Sequence, residues 1–342
     1  MRAAIFHEFG GPDVVRVEEV PRPEPGPGEV LIEVKASAMN HLDLWVRRGL
    51  PIQTTMPHIG GSDVAGVVSA LGAGAREAGV PVGARVVVDP SIACGRCEWC
   101  RRGEEPLCAE YRILGEHTQG GFAEYVVAPA RNLYVIPDDY PFERAAAAPL
   151  AYLTAWRALV TRGRLAAGES VLVTGASGGV ATAAIQIAKL AGARVFALTS
   201  SAHVRRVSEL GADVVYDRTR QDYGRELWQA TGKRGVDVVI DSVGSATWTA
   251  SVRALAKGGR LVVYGATTGA EATTDLRLVF WKQLEIIGST MANRREFRDA
   301  MDQVFSGRLQ PVVDVVWPLE RAADAHARLE AGDAFGKVVL TP

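Results

Sequence analysis

Four cysteines fall in the pattern Cys94-x-x-Cys97-x-x-Cys100-x7-Cys108, and they are all the cysteines of the chain. Thiolates at such spacing can close on one ion in tetrahedral geometry, and zinc is the metal that a four-sulfur shell fits. Gly95, Gly103 and Pro106 between them supply the tight bends that the wrap requires. With four protein ligands no position is left for water or substrate, so the expected ion is structural, one per chain. The competing reading is free or redox-active thiols.

A second chemical feature begins at residues 171–174, an apolar β-branched run that leads directly into Gly175-Ala176-Ser177-Gly178-Gly179-Val180-Ala181. Val180, Ala184, Ile187 and Ala191 then recur at helical spacing. A glycine-rich turn that opens a helix lets backbone N–H groups approach a diphosphate, and the helix N-terminus adds positive potential. Dinucleotide binding by residues 176–180 is therefore expected. Against the pattern G-x-G-x-x-G only Gly178 is retained, with Ala176 and Ala181 at the other positions, so the strand and helix around the motif carry the argument. A plain β-to-α turn is the alternative.

The end of the next strand usually presents an acid to the adenosine ribose of NAD. Here that place holds Thr199, followed by Ser200, Ser201, His203, Arg205 and Arg206. With no carboxylate to repel a 2′-phosphate, and with Thr199, Ser200 and Arg205 available to bind it, NADPH is the favoured cofactor, with NADH as the alternative. Arg205 and Arg206 also read as a solvated helix face.

Two kinds of element must position these groups. Through residue 149 the chain carries short β-branched runs (residues 30–34, 64–68 and 85–88) separated by Gly and Pro, which predicts a mostly antiparallel, barrel-like domain. Pro21, Pro23, Pro25 and Pro27 alternate in an extended connection without backbone donors. From residue 150 to 287, buried-strand runs at 171–174, 194–198, 236–240 and 260–264 alternate with helical stretches, the signature of a doubly wound parallel sheet. Residues 288–342 hold a helix near 322–330 and a strand at 337–340, expected to pack back onto the first domain.

The chain is long enough for two cores. Its 38 basic and 39 acidic residues leave a net charge of −1, which argues against nucleic acid and against anionic membranes as partners. A small-molecule substrate fits better. No apolar run has the length of a membrane span, and His7 and Glu8 interrupt the first residues, so a cytoplasmic protein is expected.

At these residues the sequence resembles the medium-chain dehydrogenase/reductase superfamily over essentially its whole length. The cysteine spacing is similar to the structural-zinc lobe of its zinc-binding alcohol dehydrogenases. Other stretches are similar to the quinone oxidoreductase branch: Asn40-His41-Leu42-Asp43 through Arg47 and Gly49, Gly120-Gly121-Phe122-Ala123-Glu124-Tyr125, and residues 146–155, 237–244, 258–265 and 284–289. The resemblance implies a GroES-like barrel domain (1–149 and 288–342, with the zinc lobe at 94–108) and a Rossmann domain (150–287). It also implies cofactor contacts at Gly265 and Ser289.

In zinc alcohol dehydrogenases the catalytic metal takes a cysteine, a His-Glu pair after a glycine, and a second cysteine or acid before the cofactor domain. The corresponding positions here are Asn40, Ser62-Asp63 after Gly61, and Ala151 or Tyr152, which lack the thiolates and imidazole that hold such a metal. His41, His58 and Asp63 are the one makeshift alternative. Without a Lewis acid, an acceptor that delocalises the incoming charge, a quinone or an α,β-unsaturated carbonyl, is the expected substrate class.

By resemblance Asn40 and Thr154 line the nicotinamide and substrate cleft, and Tyr152 is a candidate donor to the substrate oxygen. Residues 284–288 resemble the strand through which relatives pair edge to edge, which implies a homodimer, with a tetramer as the alternative. Two rival functions stay open: a zinc-dependent alcohol dehydrogenase, and a cofactor-binding structural or regulatory protein without turnover.

Overall fold

The computed structural model describes residues 1–51 and 54–342. They form two compact units, one of residues 1–153 and 292–342, the other of residues 154–291. The boundaries expected from sequence, 149/150 and 287/288, lie slightly earlier in the chain. One reason is that the helix Pro149–Trp156 starts inside the first unit, where the Leu150 N–H donates to Asp63 Oδ1 at 2.7 Å.

The first unit is the GroES-like barrel. Its organising strand, Glu29–Ala38, pairs antiparallel with Asp63–Leu71 and with Tyr125–Pro129, and at its end with Lys337–Thr341. Val30, Ile32 and Val34 alternate inward and meet Val64, Val68 and Val126 in one apolar cluster, as a half-buried strand with period two must. Arg85–Val88 and Leu133–Val135 continue the sheet. No strand crosses the proline-rich connection, which runs between Arg16–Glu19 and Glu29–Ala38.

The returning segment, residues 292–342, belongs to this unit. Val339 lies opposite Ala38, and Lys337–Thr341 also pairs in parallel with Val313–Pro318. The helix Ala322–Ala331 buries Ala322, Ala325 and Leu329 against Ala3, Ile5 and Leu44. A further helix, Arg294–Phe305, was not anticipated, although Phe297, Ala300, Met301 and Val304 carry the helical period and are its buried face. Its start is fixed by Asn293, whose side chain accepts from the Glu296 N–H at 2.8 Å while Glu296 accepts from the Asn293 N–H at 2.7 Å.

The second unit is a six-stranded parallel sheet. Numbered along the chain from Ser170–Val173, its strands stand in the spatial order 3-2-1-4-5-6, the Rossmann arrangement. Val171, Leu172, Val173, Val195, Phe196 and Val239 are fully buried, which explains why these strands read as continuous apolar runs rather than alternating ones. Among the described residues no helix is long and apolar enough to cross a membrane.

Candidate functional site

The four cysteines converge. Their sulfurs all lie within 4.8 Å of one another, with Cys94 to Cys100 at 3.9 Å and Cys97 to Cys100 at 3.5 Å. A zinc ion holding sulfur at about 2.3 Å in a tetrahedron separates its ligands by about 3.8 Å, so the set fits. Backbone N–H groups of Arg96 and Cys97 donate to Cys94 Sγ at 3.5 and 3.4 Å, and that of Cys94 donates to Cys108 Sγ at 3.5 Å. The N–H of Arg96, then that of Cys97, pulls the Cys94 thiol down to about 6, toward the thiolate that a metal requires. The lobe is tied to the barrel unit by Asn293, whose Nδ2 donates to Gly103 O at 2.8 Å.

The positions that would hold a catalytic metal form a different kind of centre. Asn40 precedes the helix His41–Arg48, and Asp63 begins the strand Asp63–Leu71. Gly61, at φ +98°, brings the chain so close to Phe122 that a Cβ there would sit 2.8 Å from the Phe122 nitrogen, so glycine is required at this bend. Asp63 is fully buried and accepts from Leu150 N–H at one oxygen; its other oxygen accepts from Asn40 Nδ2 at 3.0 Å and from Lys337 Nζ at 2.8 Å. Lys337 Nζ also donates to Asn40 Oδ1 at 2.5 Å, and Lys337 is itself buried.

Asp43 completes the network, accepting from the N–H groups of Asn40 and Gly61 at 2.7 and 2.9 Å. Burial pushes its carboxyl up to about 6 against the pull of those two donors. Ser62 Oγ is buried without a hydrogen-bond partner, and Ala151 offers no ligand atom. His58 Nε2 is engaged at 3.0 Å with Gly115 O, so it does not join Asp63 in a makeshift site. Among the described residues the four cysteines are the one converging group of three or more metal-ligating side chains. A catalytic zinc therefore does not fit at Asn40, Ser62, Asp63 and Ala151.

Of the other expected catalytic residues, Tyr152 belongs to the barrel unit and is 2% exposed. Thr154 lies in the cofactor-domain unit with Oγ1 buried and unpartnered. Lys337, the group that contacts both Asn40 and Asp63, was not singled out from sequence; a lysine opening a strand carries no local signal of burial.

In the Rossmann unit most of the expected cofactor residues lie just beyond, or at, the C-terminal end of a parallel strand: residues 176–180 after Ser170–Val173, Thr199 and Ser200 at the end of Arg194–Thr199, Gly265 after Leu255–Val263, and Ser289 after Glu285–Gly288, while Arg205 sits within the helix Val204–Glu209. That edge is where doubly wound sheets take their ligands. Gly175 turns at φ +59° and Gly178 caps the helix Gly179–Leu190. The first intrahelical bond runs from Thr182 N–H to Gly178 O, which leaves the N–H groups of Gly179, Val180 and Ala181 without intrahelical acceptors. Ala176 N–H is already spent on Leu198 O. Thr199 Oγ1 is buried and unpartnered, and Ser289 Oγ likewise. A nicotinamide dinucleotide fits this set.

Known proteins agree with this architecture. Residues 26–138 match the family model of the alcohol dehydrogenase GroES-like domain, and residues 179–306 that of the zinc-binding dehydrogenases. The chain is 32% identical to an alcohol dehydrogenase of Schizosaccharomyces pombe, over 99% of this chain and 97% of the relative. It is 31% identical to the human quinone oxidoreductase, again over 99% and 97%. A crystal structure of an NAD-dependent alcohol dehydrogenase superposes with a TM-score of 0.96 at 46% identity, over all of both chains. The chain belongs to the medium-chain dehydrogenase/reductase superfamily and is an oxidoreductase of that type.

Proposed function

We propose that the protein reduces a quinone or an α,β-unsaturated carbonyl with NADPH and without a catalytic metal, carrying one structural zinc per chain. The observation that carries this reading is the Asn40, Asp63 and Lys337 network, which fills the ligand positions of the zinc enzymes with an amide and a paired carboxylate. The likeness to quinone oxidoreductase supports it.

The reduced nicotinamide, when bound, supplies a hydride. Gly179, Val180 and Ala181 direct N–H groups at its diphosphate, with Ser177 and Gly178 shaping the turn. Thr199, Ser200 and a nearby guanidinium donate to the 2′-phosphate, and Gly265 and Ser289 line the same strand ends. Hydride addition at carbon moves an electron pair onto the acceptor's oxygen, where Asn40 offers an N–H and a solvent proton completes the reduction. Thr154 contributes a buried hydroxyl that has no hydrogen-bond partner among the described residues.

A homodimer is part of this proposal. The strand Glu285–Gly288 ends the six-stranded sheet, and Leu276, Phe280 and Trp281 beside it are 71%, 66% and 74% exposed. An unpaired edge flanked by such side chains is what a second copy would cover.

The second reading, alcohol oxidation, is favoured by the 46% identity to an NAD-dependent alcohol dehydrogenase. One experiment separates the two: elemental analysis of the purified protein, followed by assays with quinones, enones and alcohols. One zinc per chain with NADPH-dependent reduction supports the proposal; two zincs with alcohol turnover would replace it. NADPH binding without turnover on any of these would favour a regulatory role.

A further inference from the structure

We infer that Lys337 is a positioning residue that locks the Asn40 carboxamide as a hydrogen-bond donor to the acceptor's oxygen. The inference rests on the reductase reading and adds to it a group that neither the sequence motifs nor the family's metal-ligand positions indicate.

A carboxamide has two ends of nearly equal size, one a donor and the other an acceptor, and usually either orientation is sterically allowed. At Asn40 the surroundings decide. Lys337 Nζ, which can only donate, sits 2.5 Å from Oδ1, and Asp63 Oδ2, which accepts, sits 3.0 Å from Nδ2. Reversing the amide would set an N–H against the ammonium and an oxygen against the carboxylate, both buried where such contacts are least screened. The frame is rigid as well: Asp63 is held through its other oxygen by Leu150 N–H at 2.7 Å, and the Asn40 main chain by Asp43.

The lock has a chemical consequence. With Oδ1 occupied by the ammonium and one Nδ2 hydrogen on Asp63, the remaining Nδ2 hydrogen has, among the described residues, only Ala38 O at 3.5 Å, at the limit of a hydrogen bond. Asn40 thus has donor capacity to spare and its acceptor end is blocked. An ammonium on the amide oxygen also polarises the N–H group, which makes it a better partner for an oxygen gaining negative charge. Without Lys337 nothing holds Oδ1, and Asp63 becomes an uncompensated buried charge that competes with the acceptor's oxygen for the Asn40 N–H.

The test uses 4-nitrophenolate as a stand-in for the anionic oxygen, because its absorption moves to shorter wavelength when that oxygen accepts a hydrogen bond. Wild type with NADP⁺ bound should bind the probe with such a shift. Lys337→Met should lose the shift and bind roughly ten- to a hundred-fold more weakly, as expected for loss of one hydrogen bond to a charged oxygen. Lys337→Arg should restore the shift. Since Lys337→Met strands a buried carboxylate, the double variant Lys337→Met/Asp63→Asn removes both charges, and its melting curve and zinc content report its folding. Loss of the shift in that folded variant supports the inference. Retention of the shift and affinity there, or a wild-type protein that binds the probe without a shift, overturns it. Turnover of quinones and enones by wild type is scored separately, so failure of the reductase reading is distinguishable from failure of the Lys337 role.

Discussion

Arg205 Nε donates to Glu209 Oε1 at 2.7 Å, one helical turn away, and its side chain is 90% exposed. The guanidinium expected to bind the 2′-phosphate is therefore engaged on a solvated helix face. Arg218 starts closer to the strand end, its N–H donating to Thr199 O at 2.9 Å, and it too is exposed. Arg205→Ala should change the Kd for NADPH less than about three-fold, within what an exposed pair is worth. Arg218→Ala should weaken NADPH by roughly ten-fold, the scale of one charge-assisted contact, and leave NADH unchanged. Cofactor fluorescence titration measures both.

Thr199→Asp puts a carboxylate where NAD enzymes keep one. The variant should bind NADPH at least about ten-fold more weakly while NADH affinity holds or rises, through repulsion of the 2′-phosphate. Equal losses for both cofactors would place Thr199 away from the ribose.

The cysteine lobe should contribute to stability and not to chemistry. Cys100→Ser should lower zinc below one per chain and lower the melting temperature by several degrees. At about 2–4 °C per kcal/mol for units of this size, that corresponds to a loss of a few kcal/mol. Cofactor affinity should be retained below the melting transition. Differential scanning calorimetry with zinc analysis checks this.

Glu116 provides the pH dependence. Burial, and then the nearby Asp43, push its carboxyl up to about 7, and its Oε2 is buried without a hydrogen-bond partner, His117 Nδ1 standing 3.6 Å away. A folded-state value above the unfolded one means that the contribution is complete below the ordinary glutamate range and is lost as pH rises through about 7. Glu116→Gln should therefore melt higher than wild type at pH 8 and gain little or nothing at pH 4.5. Melting curves at the two pH values decide; a gain confined to the acidic sample would reverse the assignment.

Much of this architecture is legible in the sequence because it is encoded locally. The cysteine lobe is a matter of spacing within one loop, and the parallel sheet announces itself through runs such as Val171, Leu172 and Val173. The centre around Asn40 is not local. Lys337 meets Asn40 and Asp63 across 297 and 274 residues of chain, and nothing in the stretch Gly336-Lys337-Val338-Val339 distinguishes a buried ammonium from a solvated strand end. Arg205 illustrates the converse: its type and place suit the phosphate, while the exposed pairing with Glu209 one turn on appears only in the helix geometry.

The pairing of Ala38 with Val339 also sets an order of events during synthesis. Residues 154–291 are contiguous in the chain, whereas the barrel unit lacks the strand that pairs with Ser37 and Ala38 until Lys337–Thr341 has been made. Through that interval Ser37 and Ala38 present an unpaired edge and Asp63 has no countercharge. The nascent barrel is thus the stage at which a chaperone, or a misfolding partner, has the most to hold.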